Sequence, residues 1–324
     1  MKWNKILTIA LCFFSQIAQA KLPEFNHYSI FGDSLTDVGN YSTSSNNCVY
    51  FNAPITNHAK GNGGEFFDTT WANVGELKNI LASNNGGSNY AVAGYTSAQI
   101  LTAIKSYTSN HKANADTLYI IWSGTNDVLY AAGNQWSHDM VKQAIADGIN
   151  NTTSGLDALY SSGARNFLII GLLDLSKTPL ASYPHNNSDL LLGLYPTKND
   201  KSRLQNISTN WNSILFSKNH GLLYDFKKSH LDAHVYVWDP NPLLNDIIKN
   251  PTSYGYPKQQ VFNATSNSAP DANYPVSQIT YCGNTARNFD KNPDHYMFFN
   301  FIHPTSYTYH FIEQHLVKDS IEYK

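Results

Sequence analysis

Short apolar runs alternate along this chain with longer stretches in which apolar residues recur at helical spacing. The apolar runs predict five strands, at residues 28–31, 89–92, 117–122, 167–171 and 234–238. The helical spacing predicts helices at residues 97–107, 138–161, 202–218 and 304–318, with a further helix that opens at residue 70 and ends by residues 84–87. Strands and helices therefore follow one another in alternation.

This alternation predicts a parallel sheet, because parallel strands need crossover connections. Since those crossovers are right-handed, the topology is limited to a doubly wound fold. The run at 117–122 is apolar throughout, which favours a central strand buried on both faces. The sequence therefore predicts an α/β fold with a five-stranded parallel sheet, flavodoxin-like, and helices on both faces.

The first twenty residues have the features of a signal peptide. Lys2 and Lys5 are basic, residues 6–14 are apolar, and residues 18–20 read Ala-Gln-Ala. Such a segment is removed on export, and it is too short to span a membrane. The alternative is a buried N-terminal helix. We expect an exported protein, secreted or periplasmic, with one domain over residues 21–324.

Composition narrows the possible partners. Charged residues make up only 14% of the chain, no basic cluster occurs, and the formal net charge is −2. This composition does not suit a nucleic-acid binder.

Removal of the signal peptide leaves Cys48 and Cys282. An even number of cysteines in an exported protein suggests one disulfide, the alternative being two free thiols.

Three polar motifs follow the first three predicted strands. Ser34 follows the first, Gly94 the second and Asn126 the third. Ligands bind at the carboxyl ends of the strands in open α/β sheets, so these motifs should meet there. Each motif alone has a structural alternative, namely a turn and helix N-cap, a turn glycine, and an N-cap.

Together the three motifs suit acyl transfer. Ser34 would attack an ester carbonyl, and the backbone N–H groups of Ser34 and Gly94 with the amide of Asn126 would hold the developing oxyanion. One such donor is worth about 3–4 kcal/mol of barrier. The base should be His303, which precedes Pro304 and the closing helix. Its alternative is a helix-capping surface histidine.

These motifs resemble the GDSL, or SGNH-hydrolase, family of secreted lipases and esterases. The four matching segments are Gly32-Asp33-Ser34-Leu35, Asn89-Tyr90-Ala91-Val92-Ala93-Gly94, Gly124-Thr125-Asn126-Asp127 and His303-Pro304-Thr305. The resemblance covers essentially the whole chain after residue 20. It is greatest to the bacterial branch that contains secreted phospholipase A, lysophospholipase A and glycerophospholipid–cholesterol acyltransferase. It implies an SGNH-type fold, Ser34 as nucleophile, His303 as base and acid, and chemistry without a metal or cofactor.

One position departs from the family pattern. The family has an aspartate three residues before the histidine, where this chain has Asn300. An aspartate fixes the imidazole tautomer and stabilises the imidazolium, and its replacement by asparagine cost a serine protease about 10⁴ in kcat. Either Asn300 orients a Ser–His pair, or Asp294 or another acid substitutes, or the site is weakened.

The expected function is hydrolysis of lipid carboxylic esters through an acyl-enzyme. The resemblance implies a lysophospholipid or other lipid as substrate, a sterol as a further acyl acceptor, and transient contact with a membrane surface. Two alternatives remain open. One is a carbohydrate O-acetyl esterase, since the same site serves small acyl groups. The other is a binding module on a hydrolase fold with weakened catalysis.

Overall fold

The computed structural model describes residues 22–37, 87–133, 137–178, 181, 201–256, 297, 298, 302, 304 and 306–324. The strands are β1 (His27–Gly32), β2 (Gly87–Asn89), β3 (Thr117–Trp122), β4 (Asn166–Ile170), β5 (His234–Trp238) and β6 (Ile321–Glu322). The helices are α1 (Ser97–Asn110), α2 (Thr125–Gly133), α3 (His138–Ser162), α4 (Lys201–Leu215), α5 (Leu222–Ser229), α6 (Asn241–Lys249) and α7 (Ser306–Asp319). Two short 3₁₀ helices lie at Leu175–Lys177 and Pro251–Tyr254.

The described strands form one sheet in the order β2-β1-β3-β4-β5-β6. Strands β1 to β5 pair with one another in parallel, and β6 pairs antiparallel with β5. The predicted doubly wound fold with five parallel strands is thus confirmed, and a sixth strand is added at one edge. Strand β6 was not predicted, because two residues are too few to show the apolar pattern of a strand.

Both faces of the sheet are covered by helices. In β3, Ile120 and Trp122 belong to the apolar cluster that contains residues of α6 and α7. Tyr119 and Ile121 point the other way, into the cluster built by α1, α2, α3, α4 and α5. Every residue of β3 is buried. This agrees with the central position that the continuous apolar run predicted for this strand.

Most element boundaries lie within a few residues of the prediction, and β2 differs for a definable reason. The predicted strand covered residues 89–92, whereas β2 is Gly87–Asn89. Beyond it the chain still follows β1, because Tyr90 donates to the Ile30 carbonyl and Val92 to that of Gly32. The apolar run that predicted a strand at residues 89–92 therefore corresponds to an extended segment that continues past β2. Three short helices, α2, α5 and α6, were not predicted.

Some predictions lie outside the described residues. These are the signal peptide, the helix predicted to open at residue 70, the Cys48–Cys282 disulfide, Asn300 and His303. Within the described part of the chain, no helix is long and apolar enough to cross a membrane. The single domain over residues 21–324 stays a prediction.

Candidate active site

Ser34 lies in a tight turn that directly follows β1. The backbone N–H of Thr36 donates to the carbonyl of Asp33 at 3.1 Å, which closes the turn around the serine. The Asp33 carboxylate accepts from the N–H of Leu35 at 2.8 Å. Such side-chain bonds to the backbone two residues on are the usual stabiliser of this type of turn. Ser34 is 5% exposed, at the carboxyl end of its strand.

Gly94 lies in a second turn, which follows the segment beside β1. Tyr95 donates its N–H to the carbonyl of Val92 at 3.1 Å, and Gly94 has a φ of +84°. A Cβ at this position would meet no described atom within 4 Å. The left-handed backbone at this position therefore favours glycine.

Two hydrogen bonds fix this second turn against the first. The side-chain amide of Asn89 donates to the carbonyl of Thr36 at 2.7 Å. The N–H of Ala93, next to Gly94, donates to the carboxylate of Asp37 at 2.7 Å. The two motifs are thus joined by polar contacts as well as by the pairing of β1 and β2.

Asn126 comes from the third motif, in the first turn of α2. Its side-chain amide donates to the carbonyl of Tyr95 at 2.8 Å, so it lies against the turn that holds Gly94. Asn126 is 7% exposed. One amide hydrogen is engaged by Tyr95 and the second remains available to a ligand, because a carboxamide carries two.

The next residue, Asp127, connects α2 to α1. Its carboxylate accepts from the N–H of Ser97 at 2.8 Å and from the Ser97 hydroxyl at 2.7 Å. Asn151 of α3 also donates to that hydroxyl, at 3.0 Å. Burial raises the pKa of Asp127, and the two bonds from Ser97 oppose that shift. An N-cap was the structural alternative for the Asn126–Asp127 motif, and in the structure Asp127 binds the N-terminus of the neighbouring helix α1.

Asp33 is fully buried beneath the serine turn. Burial raises its pKa to about 7, opposed first by the bond from Leu35 and then by the hydroxyl of Thr125. Neither Oδ2 of Asp33 nor that hydroxyl makes a hydrogen bond of regular geometry with the described residues. Thr125 nevertheless lies near enough to influence the carboxyl, so Asp33 faces the start of the helix that carries Asn126. In the sequence, only the position of Asp33 next to Ser34 could have indicated that its carboxyl would be buried at the site.

The closing helix α7 contacts the serine turn directly. Tyr309 is fully buried and donates its hydroxyl to the carbonyl of Leu35 at 3.2 Å. Before α7, Pro304 forms a β-bridge with Phe298. The chain on both sides of the predicted base is therefore anchored in the core. The base itself, His303, and its predicted partner Asn300 lie outside the described residues.

The structure thus gathers three of the predicted site residues, Ser34, Gly94 and Asn126, at the carboxyl ends of β1, β2 and β3. Neighbouring strands are about 4.8 Å apart, so the three turns are adjacent. The sheet order, with helices on both faces, is that of a doubly wound α/β fold of SGNH type. The chain belongs to the GDSL-like lipase/acylhydrolase family, whose sequence model matches residues 28–316.

Known relatives carry ester-hydrolase names. Lipase 1 of Photorhabdus luminescens is 24% identical over 374 aligned positions, which cover 98% of this chain and 53% of that protein. An acetylesterase of Thermothelomyces thermophilus is 26% identical over 159 positions, covering 48% of this chain and 45% of that protein. The chain spans about half the length of both.

One of the solved structures that the chain matches is a structure of an acetyl xylan esterase from Geobacillus stearothermophilus. It is 11% identical, has a TM-score of 0.36, and covers 71% of this chain and 84% of its own.

Proposed function

We propose that this protein is an exported serine hydrolase of lipid carboxylic esters, with lysophospholipids as the first substrate class. The observation that carries the proposal is the hydrogen bond from Asn126 to the turn of Gly94, at the edge of the sheet where the turn of Ser34 follows β1. This bond holds the third predicted donor against the turn that bears Gly94, beside the turn that bears Ser34. Preorganised donors of this kind are what an acyl transition state requires.

The proposed reaction has two halves. The Ser34 hydroxyl attacks the ester carbonyl while His303 takes its proton, and the N–H groups of Ser34 and Gly94 with the Asn126 amide hold the oxyanion. Collapse breaks the ester bond, and the imidazolium protonates the departing alcohol. Water then attacks the acyl-enzyme by the same route and releases a carboxylic acid. If a sterol hydroxyl replaces water, the product is a sterol ester.

Electrostatics around Asn126 support its proposed role. The amide belongs to the first turn of α2, where the helix dipole presents partial positive charge. The carboxylate of Asp127 in the same turn accepts two hydrogen bonds from Ser97 and so faces α1. The oxyanion therefore meets the amide and the helix N-terminus without an opposing free carboxylate from Asp127.

A second candidate function is hydrolysis of acetyl groups on carbohydrates. A groove of about 540 Å³ runs beside Tyr95 and is lined by three tyrosines, Tyr90, Tyr95 and Tyr107, and by amides such as Asn89 and Gln99. Among the described residues that line it there is no aspartate, glutamate, lysine or arginine. Aromatic rings and uncharged amides suit a neutral, hydroxyl-rich ligand. The acetylesterase relative agrees with this alternative.

The test measures fatty-acid release from a panel of phospholipids and lysophospholipids, with and without cholesterol. Turnover should be highest on lysophospholipids and should be abolished in Ser34→Ala. The exposed serine of α1, Ser109, gives the matched control Ser109→Ala, which should retain wild-type turnover. A serine-reactive fluorophosphonate should label the wild type and not Ser34→Ala.

Preference for acetyl over longer p-nitrophenyl esters would favour the carbohydrate esterase instead. Absence of labelling and turnover would indicate a binding module. Retained turnover in Ser34→Ala would exclude Ser34 as the nucleophile.

A further inference from the structure

Gly94 bears one of the three proposed oxyanion donors, and its turn depends on contacts with other elements. The residue has a φ of +84°, and a Cβ there would meet no described atom within 4 Å. Glycine reaches many backbone conformations at little cost, so the direction of its N–H depends on how its neighbours are held. That N–H donates to no described residue. To hold an oxyanion it must therefore be positioned by contacts on either side of the glycine.

Side chains from other elements bind the chain before and after this glycine. On the N-terminal side, Ala93 donates its N–H to the carboxylate of Asp37 at 2.7 Å. On the C-terminal side, the carbonyl of Tyr95 accepts the amide of Asn126 at 2.8 Å. Helix α1 begins two residues later, at Ser97. The direction of the turn therefore also depends on what holds the start of α1.

Asp127 of α2 holds the start of α1 with both oxygens of its carboxylate. Oδ2 accepts from the N–H of Ser97 at 2.8 Å, and Oδ1 accepts from the Ser97 hydroxyl at 2.7 Å. The first N–H groups of a helix have no partner within the helix, and the helix dipole favours a negative charge beside them. Ser97 is 1% exposed, so both of its donors are shielded from water.

Consecutive residues of α2 thus hold the same segment at two points. Asn126 binds the segment at Tyr95. Asp127 binds it at Ser97. Two attachments fix the position and the direction of a short segment, whereas one attachment leaves it free to rotate. Asn151 of α3 donates to the Ser97 hydroxyl at 3.0 Å, and this directs the single hydroxyl proton towards Asp127.

We propose that Asp127 is a positioning residue for the acyl-transfer site. Through Ser97, its carboxylate sets the direction of the Gly94 N–H relative to the amide of Asn126. Both donors then meet one oxyanion without reorganisation, which is the condition for electrostatic stabilisation of an acyl transition state. The inference rests on the proposed reaction at Ser34, and it holds for any ester that this serine attacks.

The test measures hydrolysis of p-nitrophenyl acetate, so it does not depend on a lipid substrate. Asp127→Ala should lower kcat about 100-fold, the cost of a misplacement of about 1 Å at a reacting centre. KM should change little, because oxyanion donors act on the transition state and not on the bound ester. Asp127→Asn should recover part of the loss, since its carbonyl can still accept from the N–H of Ser97.

Two further measurements test whether the effect passes through Ser97. Ser97→Ala removes only the hydroxyl bond, so it should lose less kcat than Asp127→Ala. The double variant should match Asp127→Ala alone, because that single substitution already removes both bonds. Amide hydrogen exchange over residues 94–100 should be faster in Asp127→Ala, because the N–H of Ser97 loses its acceptor. The exchange measurement needs no substrate.

Asn212→Ala is the matched control, since it breaks a comparable pair of contacts elsewhere. Asn212 of α4 donates to the carbonyl of Leu172 at 2.8 Å and accepts from its N–H at 2.7 Å. This variant should lower Tm and keep the kcat of the wild type. Thermal unfolding of every variant reports its stability.

Several results would overturn the inference. These are a wild-type kcat in Asp127→Ala, an equal loss of kcat in Asn212→Ala, a change in KM alone, a double variant that multiplies the two single losses, or unchanged amide exchange. If Asp127→Ala does not fold, a wild-type kcat in both Asp127→Asn and Ser97→Ala overturns it instead. A wild type that hydrolyses p-nitrophenyl acetate but no lipid would contradict only the proposed lipid function, and a wild type inactive on every ester would contradict both.

Discussion

Tyr309 donates its buried hydroxyl to the carbonyl of Leu35 at 3.2 Å, which joins the closing helix to the serine turn across 274 positions of sequence. The phenol stays protonated, because burial raises its pKa well above the usual value. The segment that bears the predicted base leads directly into this helix. The bond therefore couples the proposed nucleophile and the proposed base, which lie at opposite ends of the chain.

We predict that Tyr309→Phe lowers kcat and destabilises the protein. The ring stays and the donor is lost, so the buried carbonyl of Leu35 loses its partner at a cost of about 1–3 kcal/mol. Since α7 would then be less firmly held against the serine turn, kcat should fall while KM changes little. Urea unfolding and ester hydrolysis measure the two effects.

The same helix offers a matched control for that substitution. Tyr307 donates its hydroxyl to the carbonyl of Tyr254 at 2.9 Å, away from the serine turn. Tyr307→Phe should lower the free energy of unfolding without lowering kcat. Equal losses of kcat in both variants would show that the effect is a general one of stability.

Asp33 should make the stability of the protein dependent on pH. Below about pH 4 the carboxyl is protonated in both the folded and the unfolded chain. Between there and about pH 7 only the unfolded chain ionises, because burial raises the pKa in the fold. The free energy of unfolding should therefore fall over this range, relative to Asp33→Asn, and level off above it.

Urea unfolding of wild type and Asp33→Asn at a series of pH values measures this difference. Asp116→Asn, which changes an exposed carboxylate, should follow the wild-type curve. Parallel curves for wild type and Asp33→Asn would contradict the raised pKa.

Sequence patterns predicted the elements whose burial is continuous. The bounds of β3 and β5 agree with their apolar runs, because a strand covered on both faces has no polar interruption. The bounds of β2 differ, since Tyr90–Val92 follows β1 in an extended form without belonging to the regular strand. The pair Ile321–Glu322 is held only by pairing with β5, and nothing within it predicts a strand.

The sequence predicted the part of the candidate site that depends only on the order and direction of the strands. Ser34, Gly94 and Asn126 each follow a strand, and parallel strands end at one edge. The supporting contacts depend on residues that are distant in sequence. Nothing local indicates that Asp127 accepts from Ser97, or that Tyr309 reaches Leu35. Such contacts follow from the packing of helices, which a linear pattern does not encode.

Two glycines with positive φ should differ in their tolerance of a side chain. Gly94→Ala introduces backbone strain of about 1–2 kcal/mol, and its Cβ would meet no described atom within 4 Å. Gly124 has a φ of +112°, and a Cβ there would lie 2.4 Å from Trp211, so Gly124→Ala adds a clash to the strain. We expect Gly94→Ala to fold with reduced kcat and Gly124→Ala to lose more stability. Thermal unfolding compares the two variants, and equal losses of stability would contradict the predicted clash with Trp211.

Asn300→Asp should raise kcat. The residue lies outside the described part of the chain, so this prediction rests on its position three residues before His303. An aspartate there would stabilise the imidazolium that forms when Ser34 loses its proton, whereas an asparagine accepts the same hydrogen bond without the charge. Hydrolysis of a p-nitrophenyl ester by wild type and Asn300→Asp measures the gain. Asp294→Asn is the companion variant: if Asp294 were the acid that supports His303, its loss would lower kcat, and the gain in Asn300→Asp would be small. An unchanged or lower kcat in Asn300→Asp would exclude Asn300 from the orienting position.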